Sequence, residues 1–360
     1  MVQDAGTHIR LAFPELGDEE LAAVAAVLES GHLTMGPKVE ELEADLALAC
    51  GTEHAVAVSS GTAALHLAVL ALEIGPGDEV IVPAYTFPAT ANVIVLAGAR
   101  PVLADVDPAT MNLAVEAVAA AVTPRTKAVI AVHLFGRPLA WEELESAVPP
   151  GVHLIEDAAG ALGARRQGVP CGALGVLGCL SFHPRKIVTT GEGGAVVTSD
   201  GALADAVRRL RHHGIEPQGE FAIAAPGFNY RLSDVLCALG IPQVRRLPEL
   251  LDARRRLAAA YDERLAGVVE TPAAADGDEH GWQAYVVQLD RRDDALAAVR
   301  EAGIEAQVGT YALHRLRPYA DQGPFPGAER CGDRALALPF HSRLTDADLD
   351  RVTAVVADFH

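Results

Sequence analysis

Short apolar runs alternate with amphipathic stretches through the first half of the chain. The runs are His54-Ala-Val-Ala-Val58, Glu79-Val-Ile-Val82, Pro101 to Ala104, Lys127-Ala-Val-Ile-Ala-Val132, Val152-His-Leu-Ile-Glu156, Leu174 to Leu180 and Ala195-Val-Val-Thr198. They are apolar throughout rather than at every second position, which predicts strands buried on both faces. Between them, an apolar stripe at Leu21, Val24 and Leu28 predicts a helix over 19–29, with Asp18 as its cap. Further helices are expected over 39–48, from Ser59 to about Leu72, over 88–96, after Pro108, around Trp141 and over 200–213. Strand–helix alternation of this kind predicts a mostly parallel sheet with helices on both faces. Ligands in such sheets bind beyond the carboxyl ends of the strands. The loops after 58, 82, 132, 156 and 180 are therefore the ones to search for chemistry.

The pattern changes later in the chain. Residues 1–16 read as an irregular arm, 221–226 as a loop, 227–234 as a lead into a short helix, and 248–265 as a long linking helix. A second unit follows, with a strand over 283–289, a helix over 293–302, an aromatic and basic segment from Tyr311 to Tyr319, and a helix over 346–359. The expected division is a large domain over 1–250 and a small one over 251–360.

Composition narrows the function classes. With 29 Lys+Arg against 48 Asp+Glu, the formal charge is −19 and no block is strongly basic, which argues against nucleic acid and anionic membranes as partners. Cys50, Cys171, Cys179, Cys237 and Cys331 are odd in number and show no CxxC spacing. They read as reduced thiols, and with no signal peptide and no membrane span in view, a cytoplasmic location is expected.

Chemistry concentrates in Ser181-Phe-His-Pro-Arg-Lys186-Ile-Val-Thr-Thr-Gly-Glu-Gly-Gly194, set between two apolar runs. A lysine at the mouth of a buried sheet can lose its proton by desolvation and act as a nucleophile; on a solvated turn it would do neither. Ser59-Ser-Gly-Thr-Ala63 lies between a strand and a helix, where Gly61 and Thr62 could hold a phosphate or simply cap the helix. It is neither GxxxxGK[ST] nor GxGxxG. Asp157 ends a strand and needs a donor partner, either a protonated ring nitrogen or local backbone amides. Tyr85 or Phe87 could cover a flat cofactor, or pack in the core. No HExxH or other ligand set suggests a metal, and GxSxG is absent. Together these parts fit pyridoxal 5'-phosphate: Lys186 for the Schiff base, Asp157 for the pyridine nitrogen, and Gly61, Thr62 and Ser181 for the phosphate.

Ser59 to His66, Gly77-Asp-Glu-Val-Ile-Val-Pro83, Thr123 to Ala128, Glu156-Asp-Ala-Ala159, Ser181 to Lys186, Thr189 to Gly194 and Asn229-Tyr-Arg-Leu232 resemble, in order, the pyridoxal-phosphate sugar aminotransferases of the DegT/DnrJ/EryC1/StrS family. The resemblance runs from Phe13 to about Leu349. It implies an α/β, fold-type I (aspartate aminotransferase-like) fold with a mostly parallel seven-stranded sheet, a smaller C-terminal α+β domain, and a homodimer with shared active sites. It implies Lys186 as Schiff-base lysine and proton carrier, Asp157 at the ring nitrogen, Phe87 stacked on the ring, and Gly61, Thr62 and Ser181 at the phosphate. Asn229 would reach the neighbouring subunit's cofactor. Two departures stand out. Gly160 replaces the family's frequent glutamine or histidine, so another residue or water must fill that place. His32 and Met35 stand where tryptophan or leucine, and threonine, are frequent. A related dehydratase carries histidine at the lysine position, and Lys186 argues against that chemistry.

The activity expected is transfer of an amino group from glutamate or glutamine to a keto-sugar, with a nucleotide-linked acceptor whose diphosphate needs cations. Arg185, Arg231, His183, His314 and Arg317 are the candidates. The alternatives are a cyclitol ketone as acceptor, a pyridoxal-dependent dehydratase or lyase, and a non-enzymatic regulator or scaffold on the same fold.

Overall fold

The computed structural model describes residues 8–216 and 222–359. Residues 1–7 of the expected arm and Phe221 of the expected loop lie outside the described residues. The chain opens with α1 (Asp18–Ser30), α2 (Pro37–Cys50), β1 (His54–Val58), α3 (Gly61–Ala71), β2 (Glu79–Pro83), β3 (Tyr85–Thr86), α4 (Ala89–Leu96) and β4 (Arg100–Ala104). It continues through α5 (Val115–Ala121), β5 (Thr126–Val132), α6 (Trp141–Ala147), β6 (His153–Asp157), β7 (Arg165–Arg166), β8 (Val169–Pro170), β9 (Leu177–Ser181) and β10 (Gly194–Thr198). Helices α7 (Gly201–Arg211), α8 (Asp234–Arg245) and α9 (Leu247–Leu265) lead into a smaller C-terminal α+β unit. That unit holds β11 (Tyr285–Gln288), α10 (Arg292–Glu301), β12 (Gln307–Val308), β13 (Tyr311–Ala312), α11 (Pro326–Arg334), β14 (Ala335–Leu338) and α12 (Asp346–Ala357).

The seven-stranded sheet has the order β1-β10-β9-β6-β5-β2-β4. β9, β6, β5, β2 and β4 are parallel, and β10 runs antiparallel to both of its neighbours. Val56, Ile81, Ile130, Ile155, Cys179 and Val196 are fully buried, as strands covered on both faces require. Pro101 is tolerated in β4 because that strand lies at the sheet edge, where a missing N–H costs no ladder bond. The register sets Val132 beside Asp157 and Asp157 beside Cys179, so the carboxyl ends of β5, β6 and β9 finish together. Gly194, at the start of antiparallel β10, pairs with both Ser181 and Val58 and joins the same edge.

Three sequence expectations change. Asp18 is the first residue of α1 rather than its cap. Glu20 accepts the Gly17 N–H at 2.7 Å instead, and Asp18 contributes charge to the first turn. α11 and β14 are not among the expected elements: α11 is short and amphipathic but buries only the small residues Gly327, Ala328 and Cys331, and β14 reads Ala-Leu-Ala-Leu without β-branched residues. Yet β14 is the centre of the small sheet, between β11 and β12. The arm also leaves the large unit, because Ile9 bridges Ile304 and packs with Tyr261, Tyr285 and Val299.

α9 joins the two units. Leu247, Leu250 and Leu251 pack into the large core, and Ala258, Tyr261 and Leu265 into the small one. A second join is a short ladder of β13 on β3, which sets Tyr311 beside Thr86. Among the described residues, no helix is long and apolar enough to cross a membrane.

Candidate active site

Between the two units, at the carboxyl edge of the sheet, lies a cavity of about 680 Å³. Its walls include Gly61, Thr62, Phe87, Asp157, Ser181, His183, Arg185 and Lys186. These residues come from four separate stretches of chain, each placed by the end of a strand.

The first wall is the start of α3. Ser60 caps the helix, its hydroxyl accepting the Ala63 N–H at 3.0 Å. The first amides of a helix have no internal acceptor, and the helix dipole adds positive charge there, so this end suits an anion. The chain can enter so close to β9 and β10 only through glycine. A Cβ on Gly61 would lie 2.8 Å from Ser181 Cβ, and one on Gly194 would lie 2.7 Å from Gly61 N. The result is a narrow cradle of Gly61, Thr62 and Ser181.

Asp157 closes β6 and is buried. Its Oδ2 accepts the Thr90 hydroxyl at 2.8 Å, and its Oδ1 accepts the Ala159 N–H at 3.2 Å. Burial pushes its carboxyl above the ordinary range, while these two donors and then the Lys186 charge pull it back. A buried carboxylate with spare acceptor capacity and an open cavity beside it calls for a cationic or N–H partner. Glu156 points the other way. It is fully buried and accepts the N–H groups of Gly172 (2.6 Å), Leu174 (2.7 Å) and Gly175 (2.8 Å), and His133 Nε2–H at 2.9 Å. His133 Nδ1 takes the Leu139 N–H, which places the ring proton on Nε2. Cys171 comes within 4.8 Å of this pair, but Glu156 is saturated by donors, so the group is a hydrogen-bond knot rather than a ligand set.

Lys186 follows the turn after β9. Its amine is held below the ordinary lysine range, mainly by burial, with Asp157 opposing and Arg185 adding to the depression. Phe87 borders the cavity with 62% of its surface exposed, and Tyr311 lies 6.4 Å away, ring to ring. Tyr85, the other aromatic candidate, is core: it is buried and its hydroxyl accepts the Thr310 N–H.

The cation candidates separate. His183 and Arg185 border the cavity. Arg231, His314 and Arg317 do not. Arg231 Nη1 lies against His212 Nδ1 at 2.5 Å. His314 sits under Phe325, 3.4 Å from Glu329, and Arg317 is exposed on a short turn outside. Asn229 is exposed and outside the cavity, in an extended segment bridged to His212. Thr90, Gln283, Arg300, Gln307 and Tyr311 are not among the site candidates read from the sequence; all but Thr90 line the cavity directly, and all but Thr90 come from the small unit. The residues present fit pyridoxal phosphate: an anion cradle, a buried acid for a ring nitrogen, an aromatic face and a deprotonatable amine share one cavity.

Residues 14–357 match a family model described as the DegT/DnrJ/EryC1/StrS aminotransferase family. Solved structures share the fold along the whole chain. Aminotransferase TlmJ from Streptoalloteichus hindustanus is 38% identical, with a TM-score of 0.93 and 97% of this chain and 98% of that one covered. Sugar aminotransferase CalS13 from Micromonospora echinospora is 33% identical, with a TM-score of 0.91 and coverages of 97% and 99%. Spr1654 from Streptococcus pneumoniae, in its PLP form, is 29% identical, with a TM-score of 0.93 and coverage of 98% of each chain.

Proposed function

The chain belongs to the DegT/DnrJ/EryC1/StrS aminotransferase family, whose chemistry depends on pyridoxal 5'-phosphate, and from that premise we propose that it moves an amino group from glutamate or glutamine to a nucleotide-linked keto-sugar. The observation that carries this reading is the convergence of Lys186, Asp157 and the α3 cradle on one cavity. The sugar acceptor is favoured by the likeness to CalS13 along nearly the full length of both chains.

When bound, the cofactor supplies an electron sink that lets a bond at the donor's Cα break. The protein does the rest. Gly61, Thr62 and Ser181 hold the phosphate, with the α3 dipole adding to the attraction. Asp157 holds the proton on the ring nitrogen, and Thr90 and Ala159 keep its carboxylate aimed and ionised. Phe87 covers one face of the ring. Lys186 Nζ would anchor the resting cofactor; displaced by the donor's amine, it would be free to carry the donor Cα proton to the cofactor side and, in the acceptor half, to carry a proton back to the carbon that receives nitrogen. A lysine amine depressed by burial is a competent base at lower pH than an exposed one.

His183 and Arg185 stand at the mouth of this cavity in a chain of net charge −19, which suits the diphosphate of a nucleotide carrier. Arg300, from the small unit, adds a second cation beside Arg185, while burial lowers the His183 pKa and leaves its ring a neutral hydrogen-bonding group. The proposal includes a homodimer with shared sites, in which Asn229, exposed and outside the cavity, would reach the partner subunit's cofactor. The test is transfer of labelled nitrogen from glutamate or glutamine to a panel of nucleotide-linked keto-sugars and cyclitol ketones, read by product mass. Label in a nucleotide sugar is expected. Label confined to cyclitols, or release of ammonia without transfer, would overturn the reading.

A further inference from the structure

Gly160 leaves a gap in the cavity wall one turn after Asp157, and a side chain from the small unit fills it. A methyl group built on Gly160 would lie 3.4 Å from Gln283 Oε1 and 3.5 Å from its Cβ and Cγ. The backbone around Gln283 is locked. Its N–H donates to Phe135 O at 3.0 Å, and Gly281 N–H donates to Gly136 O at 2.8 Å. Half-buried Arg254 donates to the carbonyls of Trp282 (2.8 Å) and Gln283 (3.1 Å). Gly136 itself is pressed between Trp282 and Gly160, for a Cβ there would lie 2.9 Å from Trp282 N and 3.0 Å from Gly160 O. Three distant stretches thus touch through their backbones, and Gln283 is aimed by that contact.

Its amide has two ends. Nε2 donates to the carbonyl of Arg185 at 3.3 Å, one residue before Lys186. Oε1 has no donor among the described residues, and Gln283 borders the cavity. A second glutamine of the small unit holds the same arginine: Gln307 Oε1 accepts Arg185 Nη1 at 2.6 Å. So the turn that carries the nucleophile is tied to the small unit twice, once by backbone and once by side chain.

We propose that Gln283 is a positioning and binding residue of the active site, its Nε2 fixing the Arg185–Lys186 backbone and its Oε1 accepting a hydrogen bond from an N–H or O–H group of the bound cofactor or amino substrate. The small unit thereby supplies the polar group that residue 160 does not. Gln307 is the auxiliary tether, holding the Arg185 guanidinium near the Lys186 amine. The proposal rests on the aminotransferase reading for the identity of the occupant.

The experiment uses the holoenzyme and three variants: Gln283→Ala, Gln283→Ala with Gly160→Gln, and Gln283→Glu. The readouts are the pH titration of the cofactor's visible absorbance and the kcat and KM for glutamate. Gln283→Ala is expected to move the titration midpoint by about half a unit or more and lower kcat about tenfold, with a smaller change in KM. Adding Gly160→Gln, which returns an amide to the vacated space, is expected to recover most of both. Gln283→Glu keeps the shape but removes the donor to Arg185, so a shifted midpoint is expected there even if the alanine variant folds poorly. Midpoint and kcat within about twofold of the parent in Gln283→Ala, or an unshifted midpoint in Gln283→Glu, would overturn the proposal. A parent that shows the titrating absorbance but transfers nothing to a nucleotide sugar would sink the substrate reading and leave this assignment standing.

Discussion

Replacing Thr90 by valine isolates the support given to Asp157. The two side chains have nearly the same shape, and Thr90 is fully buried, so the change removes one hydroxyl with little repacking. That hydroxyl donates to Asp157 Oδ2 at 2.8 Å and is one of two hydrogen bonds from the protein to this carboxylate among the described residues. A bond to a charged group contributes about 1.5–3 kcal/mol. At 1.36 kcal/mol per unit, its loss should raise the Asp157 pKa by roughly 1–2 units. The direction adds to the rise that burial already causes. Asp157 must be ionised to hold the ring nitrogen's proton, so the acid limb of the kcat/KM profile should move to higher pH by about the same 1–2 units. The apo protein provides a second readout. A group whose folded pKa is raised above its unfolded value favours folding below that unfolded value and loses the contribution as pH rises through the folded one. Urea unfolding should therefore show the variant weakened by about 1.5–3 kcal/mol near pH 7, with the gap narrowing at acid pH. Part of any residual gap belongs to Thr86, whose hydroxyl lies 3.4 Å from that of Thr90 and loses its neighbour. A pH profile superimposable on the parent's would refute the claim that Thr90 sets the charge state of Asp157.

Three further outcomes follow from the same geometry. Burial lowers the Lys186 pKa in the folded apo chain, so the unfolded chain binds more protons and apo stability should climb as pH rises from the folded value toward the unfolded one, near 10.4; Lys186→Met should lose that part of the climb, read by thermal melts across the range, and should also lose amino-group transfer. Gly61→Ala places a methyl 2.8 Å from Ser181 Cβ and 3.2 Å from its Oγ, so cofactor affinity measured by titrating the apo protein should fall about tenfold or more; unchanged affinity would remove the cradle from the site. Glu156→Gln turns an N–H₂ group toward donors that the carboxylate now accepts, and should cost about 3–5 kcal/mol in urea unfolding, where a loss under about 1 kcal/mol would show the knot to be unimportant.

What the sequence made legible is what lies close along the chain. Lys186 could be picked out because its turn sits between two apolar runs, and Asp157 because it ends a third. Gly61 stood at a strand-to-helix junction, where glycine and hydroxyl residues have a local physical meaning. The cation candidates fared differently. Arg185 and His183 share the lysine's turn and so reach the cavity, whereas Arg231 and His314 stand on other segments and lie against His212 and beneath Phe325. Charge type along a chain does not say which way a side chain is carried.

The residues that went unnoticed have a common cause. Gln283, Arg300, Gln307 and Tyr311 reach the cavity only because the small unit is laid across the sheet edge by α9, by the β13–β3 ladder and by the Gly136–Gly281 contact. Their spacing within the small unit has no period that announces a site, and the strand at its centre, β14, was itself unmarked. A glutamine preceding a strand is an ordinary residue until a glycine 123 positions earlier leaves it a place to stand, with both residues read from the sequence. The absence at Gly160 was visible in the chain, and its complement was not, because complementarity across two units depends on their docking. This has a consequence for how the site can be altered. A Cβ at residue 160 would just touch Gln283, at 3.4–3.5 Å, but a longer side chain there competes with Gln283 for the same space, and displacing Gln283 would free the Arg185 carbonyl and loosen the turn bearing Lys186. Substitutions that look local to the large unit therefore act through the small one, and specificity changed at position 160 should be judged with position 283 varied beside it.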